Sequence, residues 1–185
     1  MMAAGRELFA ANGYAQTPRE EIVAAAGVTR GALQHHFGDK QSLFQAVYEE
    51  VEQEVMAAVA RAAMEAGDDP MGMLRRGIHA YLDAVTDPAA QRICAIDGPA
   101  VIPASVRQDI TNRYALGLVR EAVAGAMRKG QIEKGPVEPL TVMLLAGINA
   151  TAQYVATAAD TAKARADAGR TVDVLLAGLS RGHRT

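Results

Sequence analysis

The amino-acid sequence predicts an all-α protein, and three observations support this fold class. Alanine makes up 38 of the 185 residues, and alanine is the strongest helix former and a weak strand former. Apolar residues recur at spacings of three and four along most of the chain, which is the period of an amphipathic helix. Strand-forming aromatic residues are few, with five Tyr, three Phe and no Trp. The single cysteine, Cys94, excludes an intrachain disulfide scaffold and is typical of a reducing compartment.

The first two predicted helices are short and have clear boundary signals. One ends with residues 6–12 and stops at Gly13, which is expected to adopt the left-handed αL conformation. The sequence Thr17-Pro18-Arg19-Glu20 has the pattern of a capping box with proline at the first helical position. The second helix therefore begins there, and it is expected to end at Gly27.

A third helix follows after Thr29, and six more are predicted beyond it. Gly, Asp and Pro residues separate these later segments, as expected of helix ends. One of them passes through Arg92 and is expected to end near Asp97-Gly98-Pro99. The others are expected over residues 40–66, 70–86, 105–129, 140–159 and 170–180. The chain therefore has about nine helices and no convincing strand.

The composition changes near residue 46, which predicts two domains. Small, tightly turned helices precede this point and longer apolar helices follow it, so the predicted domains are residues 1–46 and 47–185. Residues 140–159 carry no charge and are long enough to span a bilayer. They include Asn149 and Gln153, which are costly in lipid. A helix packed inside the protein, rather than a membrane span, is therefore expected.

Residues 17–40 have the spacing of a helix-turn-helix motif. Gly27 supplies the tight turn between its helices, and Thr29 is expected to cap the second helix over Arg30–Phe37. Four residues of that helix are predicted to face inward, namely Ala32, Leu33, His36 and Phe37. Four others are predicted to face outward, namely Arg30, Gly31, Gln34 and His35. Recognition helices read the DNA major groove with their N-terminal residues.

These residues resemble the TetR/AcrR family of transcriptional regulators. The resemblance lies in RELFAANGY over residues 6–14 and in GVTRGALQHHFGDKQSLF over residues 27–44, and a second stretch, IDGPAV at 96–101, is similar to one subgroup's regulatory domain. It implies a homodimer with an N-terminal three-helix DNA-binding domain and a larger C-terminal ligand-binding domain. In such dimers the last two helices pair across a two-fold axis. Effector binding then moves the connecting helix and releases the operator.

Eight residues are predicted to contact double-stranded DNA. Arg30 and His35 are expected to face the DNA, and Thr29 both caps its helix and can meet a phosphate. Arg19 is open between a phosphate contact and solvent, and Lys40 between a phosphate contact and a simple first-turn charge. The first turns near Thr17 and Lys40 are candidate anion sites. The full predicted set is Thr17, Arg19, Thr29, Arg30, Gly31, Gln34, His35 and Lys40.

The sequence departs from the family pattern in two places. Only residues 1–5 precede the RELF segment, so either the true start lies upstream or the basic arm of many relatives is absent. Gln34 stands where the family usually has tyrosine, and glutamine can pair with adenine N6 and N7. Residues 1–44 contain four Arg or Lys and four Asp or Glu. DNA affinity must therefore come from the placement of a few residues.

The later helices contain polar residues that are candidates for an effector pocket. The predicted pocket set is Met73, His79, Arg92, Asp97, Tyr114, Asn149 and Gln153. For each of them a core, cap or surface position is an equal alternative, and Asp97 is expected to cap the Gly98-Pro99 turn. The faces of residues 144–155 and 172–179 are the candidate dimer interface, where Gly147 and Ala150 permit close helix approach.

The function predicted from these features is that of a ligand-responsive regulator, most simply a repressor that binds a near-palindromic operator as a dimer in the cytoplasm. No cofactor or metal site is expected, because no phosphate loop and no metal-ligand spacing is present. Two alternatives are a helical protein-interaction module and a small all-α enzyme. The enzyme alternative lacks any nucleophile–base set. The interaction module does not account for the outward Arg30, Gln34 and His35.

Overall fold

The computed structural model describes residues 1–181, and these form nine helices and no strand. The all-helical prediction and the helix count are therefore confirmed for this part of the chain. In chain order the helices are α1 Met2–Asn12, α2 Arg19–Ala25, α3 Arg30–Phe37, α4 Lys40–Met64, α5 Pro70–Ala84, α6 residues 88–101, α7 residues 104–128, α8 Val137–Thr157 and α9 Thr161–Arg181.

Two of the nine helices contain a wider π-helical segment. In α6 it covers Gln91–Asp97, and in α7 it covers Asn112–Leu116. The prediction that the sixth helix ends near Asp97-Gly98-Pro99 is wrong, because the chain continues in α-helix over Gly98–Val101. Pro99 is tolerated there because it lies in the first turn of that segment, where its missing N–H removes no bond within the segment.

The starts of two other helices and the conformation of Gly13 also differ from the predictions. The second helix begins at Arg19 with Pro18 as N-cap, and no side chain caps it, so the capping box is wrong. The last helix begins at Thr161 rather than at 170. At its start the carboxylate of Asp160 accepts the Lys163 N–H at 2.9 Å. Gly13 does have a positive φ of 79°, but its ψ of 165° lies outside the αL region.

Packing divides the chain into two compact units. The first contains residues 1–54 and 87–110, and the second contains residues 55–86 and the chain from 111 onwards. Every residue after 46 is predicted to lie in one domain, whereas packing groups α6 and the start of α7 with the N-terminal helices. The boundary at residue 46 stays a prediction.

Each unit has its own apolar core. In the first unit, Phe9, Ile22 and Phe44 are completely buried, and the rings of Phe9 and Phe44 meet edge to face at 5.1 Å. In the second unit, α5, α7, α8 and α9 share one core that includes Leu82 and Val155. Within the described residues, α8 is long and apolar enough to cross a membrane. Four of its buried side chains, Leu144, Ile148, Ala152 and Val155, belong to this shared core. Other apolar side chains of α8, such as Met143, are exposed on the subunit.

Candidate nucleic-acid interface

Helix α3 is positioned by local signals that the sequence predicts correctly. The hydroxyl of Thr29 accepts the Ala32 N–H at 3.2 Å, which confirms the predicted cap and the helix bounds. Gly27 has φ of 65°, a conformation that favours glycine in the turn before α3. Leu33 is buried, whereas Gln34 and His35 are exposed. The four residues predicted to face outward, Arg30, Gly31, Gln34 and His35, are therefore all exposed.

One histidine of α3 lies on the other side from its prediction. His36 is exposed, and its ring is 5.3 Å from the ring of His35. The prediction that His36 packs in the core is wrong. Leu33 is the one residue of α3 that is fully buried, so the helix rests on a narrow apolar stripe. His36 falls beyond the edge of that stripe.

An open groove of about 690 Å³ runs beside α2 and α3. It brings together five of the eight predicted DNA contacts, namely Arg19, Arg30, Gly31, Gln34 and Lys40, with Pro18, Glu20, Val23 and Leu33 as its other lining residues. The Arg30 guanidinium is 3.1 Å from the Glu20 carboxylate. Both side chains are more than half exposed, so this ion pair is weak and easily exchanged for another partner.

Thr17 has an internal role that the sequence analysis did not predict. Its side chain is completely buried, and its hydroxyl donates to the Gly13 carbonyl at 2.7 Å. The prediction that the Thr17 side chain contacts DNA is therefore wrong. A short polar side chain before Pro18 resembles a helix cap in sequence, and the distant groups that bury it are not visible there.

Lys40 is engaged with the chain before α2. Its ammonium donates to the carbonyls of Tyr14 at 2.9 Å and Thr17 at 3.0 Å, and it lies 4.1 Å from the centroid of the Tyr14 ring. Burial, and secondarily the charge of Arg19, lowers the pKa of Lys40. One of its three N–H donors remains for another partner.

The first turn of α4 does not offer a free anion site. The Asp39 carboxylate accepts the Ser42 N–H at 2.7 Å, and this hydrogen bond lowers the pKa of Asp39. An acceptor that is part of the chain thus occupies the position where a phosphate was expected.

Two predicted pocket residues lie in the first unit, next to the end of α1. Asp97 accepts the Tyr14 N–H at 2.7 Å, and the Arg92 Nε atom is 3.3 Å from the same carboxylate oxygen. This ion pair is not aligned for a hydrogen bond at Nε. The prediction that Asp97 caps a turn is wrong, because its side chain makes no cap hydrogen bond. A role of Arg92 and Asp97 in an effector pocket stays a prediction. Their partners are about 80 residues away in sequence, with separations of 80 and 83 residues.

The remaining pocket candidates lie in the second unit. Met73, Tyr114 and Asn149 are half-buried, and Gln153 is exposed. His79 belongs to a polar network between α5 and α9. Arg165 donates to its Nδ1 atom, and its Nε2 atom is 3.2 Å from Asp173. Because a guanidinium can only donate, Nδ1 accepts and Nε2 donates its proton to Asp173.

Cys94 and Glu52 form a titratable pair in the first unit. Burial raises the pKa of the Glu52 carboxyl, and burial beside Glu52 raises the pKa of the Cys94 thiol well above its usual value. A thiol in such a site is less nucleophilic than a free cysteine. Among residues 1–181, no three His, Cys, Asp or Glu side chains are grouped to hold a metal ion.

Two family models match this chain. The model described as bacterial regulatory proteins of the tetR family covers residues 1–47. The model described as tetracyclin repressor-like, C-terminal domain, covers residues 71–179. The two matches correspond to the helix-turn-helix region and to most of the helices that follow it.

Individual relatives give the same result. The BetI regulator of Stenotrophomonas maltophilia is 37% identical over 71 residues, which are 38% of this chain and 36% of BetI. The TtgR regulator of Pseudomonas putida is 29% identical over 141 residues, which are 71% of this chain and 66% of TtgR. The chain thus spans less than two thirds of these curated relatives. A crystal structure of a TetR-family regulator from Pectobacterium atrosepticum matches with a TM-score of 0.85 and 28% identity, covering 97% of this chain and 91% of that one.

Proposed function

Because this chain belongs to the TetR family of bacterial regulatory proteins, we propose that it is a ligand-responsive transcriptional repressor acting in the cytoplasm. It binds a near-palindromic operator as a homodimer, and a small-molecule effector releases it. TetR-family regulators are DNA-binding proteins and not enzymes, so the small all-α enzyme is set aside. The exposed polar face of α3 also favours a DNA-binding role over a pure interaction module.

The single observation that carries this proposal is the face that α3 presents. Thr29 caps the helix and Leu33 anchors it, while Arg30, Gly31 and Gln34 line an open groove. A hypothetical Cβ at Gly31 would have only the Thr29 hydroxyl within 4 Å, at 3.7 Å, so the helix surface is low and open there. A backbone without a side chain at this position lets α3 lie deep in the major groove.

Six of the predicted DNA contacts have distinct proposed roles. Arg30 exchanges its Glu20 partner for a base edge or a phosphate, and Gln34 pairs with adenine N6 and N7. His35 faces the DNA, and Arg19 with Thr29 contacts phosphates beside the groove. The one remaining N–H donor of Lys40 binds the DNA backbone at the same place. These contacts account for binding by a region in which positive and negative charges balance.

The homodimer is proposed to form through α8 and α9. Five large apolar side chains of these helices are more than half exposed, namely Val142, Met143, Tyr154, Val174 and Leu175. Gly147 and Gly178 have open space where a Cβ would lie, so a partner helix can approach closely. The predicted faces of residues 144–155 and 172–179 shift accordingly, because Leu144 and Val155 are buried within the subunit. Two recognition helices would then lie about 34 Å apart, one DNA turn.

The effector is proposed to bind in the second unit, among the half-buried candidates Met73, Tyr114 and Asn149. Methionine walls adapt to ligands of different shape. The effector weakens operator binding only through its differential affinity for the two forms of the dimer, typically about 1–3 kcal/mol.

Selection from a randomised duplex library tests the DNA-binding proposal. The expected result is a two-fold symmetric site whose affinity falls steeply as salt rises. Gln34→Ala is expected to change the preferred base at one position per half-site, whereas the control Gln53→Ala, an exposed glutamine on α4, leaves the preference unchanged. Failure of the wild-type chain to enrich any duplex refutes the proposal.

Substitution at an open glycine tests the dimer interface. Gly147→Leu is expected to convert the dimer to monomer in analytical ultracentrifugation, because the leucine blocks close helix approach. Gly117→Leu is the matched control, since Gly117 is also helical, exposed and surrounded by open space, but lies on α7. A Gly147→Leu variant that stays dimeric contradicts this interface.

A further inference from the structure

The segment between α1 and α2 is held from two sides by charged residues of other helices. We propose that Asp97 and Arg92 of α6 are positioning residues for the DNA-binding helices. They fix the conformation of residues 12–14. Lys40 binds this segment and so couples its position to the starts of α2 and α4. This inference rests on the proposed DNA-binding function, and all of the residues lie in the first unit.

The first step is a charge-assisted hydrogen bond to the backbone. The Tyr14 N–H donates to Asp97 Oδ2 at 2.7 Å, across 83 residues of sequence. The Asp97 side chain is only 14% exposed, so little water competes for this bond. Hydrogen bonds to an ionised acceptor are about twice as strong as neutral ones. Asp97 therefore holds the backbone at the exit of α1.

The second contact is made by the guanidinium of Arg92, which lies beside Gly13. Its Nη2 atom is 3.5 Å from the Asn12 carbonyl, and its Nε atom pairs with Asp97. A Cβ built on Gly13 would lie 1.9 Å from Arg92 Nη2. A side chain at residue 13 would therefore displace the guanidinium of Arg92, and the backbone angles of Gly13, φ of 79° and ψ of 165°, themselves favour glycine. Arg92 therefore orients Asp97 and covers the turn at the same time.

The third step links this turn to the DNA-binding helices. Residue 14 presents its N–H to Asp97 and its carbonyl to Lys40, which also binds the Thr17 carbonyl. The Thr17 hydroxyl returns to the Gly13 carbonyl. Helix α2 begins only two residues after Thr17, and α4 begins at Lys40 itself. A shift of Tyr14 would therefore move the starts of both helices.

The other end of α6 is also attached to α4. The Gln41 side chain donates to the Val101 carbonyl at 2.9 Å. Helix α6 consequently contacts the exit of α1 through Arg92 and Asp97, and the first turn of α4 through Val101. These two attachments support the helix-turn-helix from α6.

The test compares specific with non-specific DNA affinity, since a positioning role changes their ratio. Asp97→Ala is expected to lower affinity for the selected operator about tenfold, because a charge-assisted hydrogen bond is lost. Affinity for a scrambled duplex, which depends on phosphate contacts, should stay within about twofold. The control Asp109→Ala removes an exposed carboxylate of the same unit and is expected to leave both affinities unchanged.

The possible outcomes separate this inference from the proposed function. A wild-type chain that binds no duplex refutes the proposed function. The positioning role is overturned if the wild-type chain prefers the operator to the scrambled duplex and the Asp97→Ala variant has the same ratio of the two affinities. This holds even if the variant unfolds at a lower temperature. If Asp97→Ala does not fold, Asp97→Asn decides by the same ratio. Asparagine keeps an oxygen for Tyr14 N–H but loses the charge, so about a threefold fall in the ratio is expected.

Discussion

Replacing Gly13 by alanine tests the geometry of the turn after α1. Gly13 has φ of 79° and ψ of 165°, a region that is essentially restricted to glycine. The new methyl group would also lie 1.9 Å from Arg92 Nη2 and 2.6 Å from Arg92 Cζ. The variant therefore has two separate penalties, one in the backbone and one in the side-chain packing.

The expected loss of stability follows from these two parts. Holding a residue other than glycine in a sparsely populated conformation costs about 1–3 kcal/mol. Displacing Arg92 also breaks its ion pair with Asp97, which is partly solvated because Arg92 is 38% exposed, so it adds only about 0.5–1 kcal/mol. Alanine recovers roughly 0.4–1 kcal/mol by stiffening the unfolded chain. The net loss is expected to be about 2 kcal/mol.

A double-mutant cycle measures the Arg92 part directly. Urea unfolding at fixed protein concentration, followed by circular dichroism, gives the unfolding free energy of each variant. In an Arg92→Ala background the loss caused by Gly13→Ala is expected to shrink by about 0.5–1 kcal/mol. Gly27→Ala is the control, because Gly27 has φ of 65° but no atom within 4 Å of a Cβ. A Gly13→Ala variant as stable as wild type refutes the reasoning, and so does a loss that is independent of Arg92.

Three further predictions concern charges and hydroxyls of the first unit. Glu20→Gln releases Arg30 from its ion pair and removes a negative charge from the groove. Operator affinity in fluorescence anisotropy should rise about two- to fivefold at low salt, and unchanged or weaker binding would contradict the role of Arg30. Because the pKa of Glu52 is raised in the folded protein, the folded protein binds this proton more tightly than the unfolded chain does. The protonated carboxyl therefore contributes stability at low pH. That contribution is lost as pH rises from 4.5 through the raised pKa. Glu52→Gln should therefore gain urea stability over wild type as pH rises, whereas a difference that is constant with pH would exclude this coupling. Thr17→Val leaves the buried Gly13 carbonyl without its hydroxyl donor. The unfolding free energy should fall by about 1–3 kcal/mol. A variant that matches wild type in the same urea titration would show that the hydrogen bond contributes nothing.

The boundaries and orientation of α3 could be predicted because their causes are local. The Thr29 cap joins residues three positions apart, and the positive φ of Gly27 is a property of one residue. The burial of Leu33 follows from its place in the apolar period of a single helix. The exposed Arg30 and Gln34 follow from the same period. Signals of this range are fully contained in a short window of sequence.

The incorrect predictions concern residues whose surroundings a short window of sequence does not show. Thr17 looks like a helix cap in sequence, yet it is buried with its hydroxyl on Gly13. His36 was placed inward by its position on α3, but the helix rests on a narrower stripe than the period implies. Helix α9 begins nine residues before the predicted start at 170, so Gly169 lies inside it. A Cβ there would lie 3.1 Å from His79, so this glycine serves close packing within a continuous helix.

The sequence by itself determined that this protein is all-helical, that residues 17–40 form a helix-turn-helix, and that Arg30, Gly31, Gln34 and His35 of α3 face outward. These features depend on helix propensity, caps and period, which act over a few residues. Only the tertiary structure decided that Arg92 and Asp97 belong beside Gly13 and Tyr14. A hydrogen bond across 83 residues depends on how the helices pack, and no local pattern in the chain specifies it.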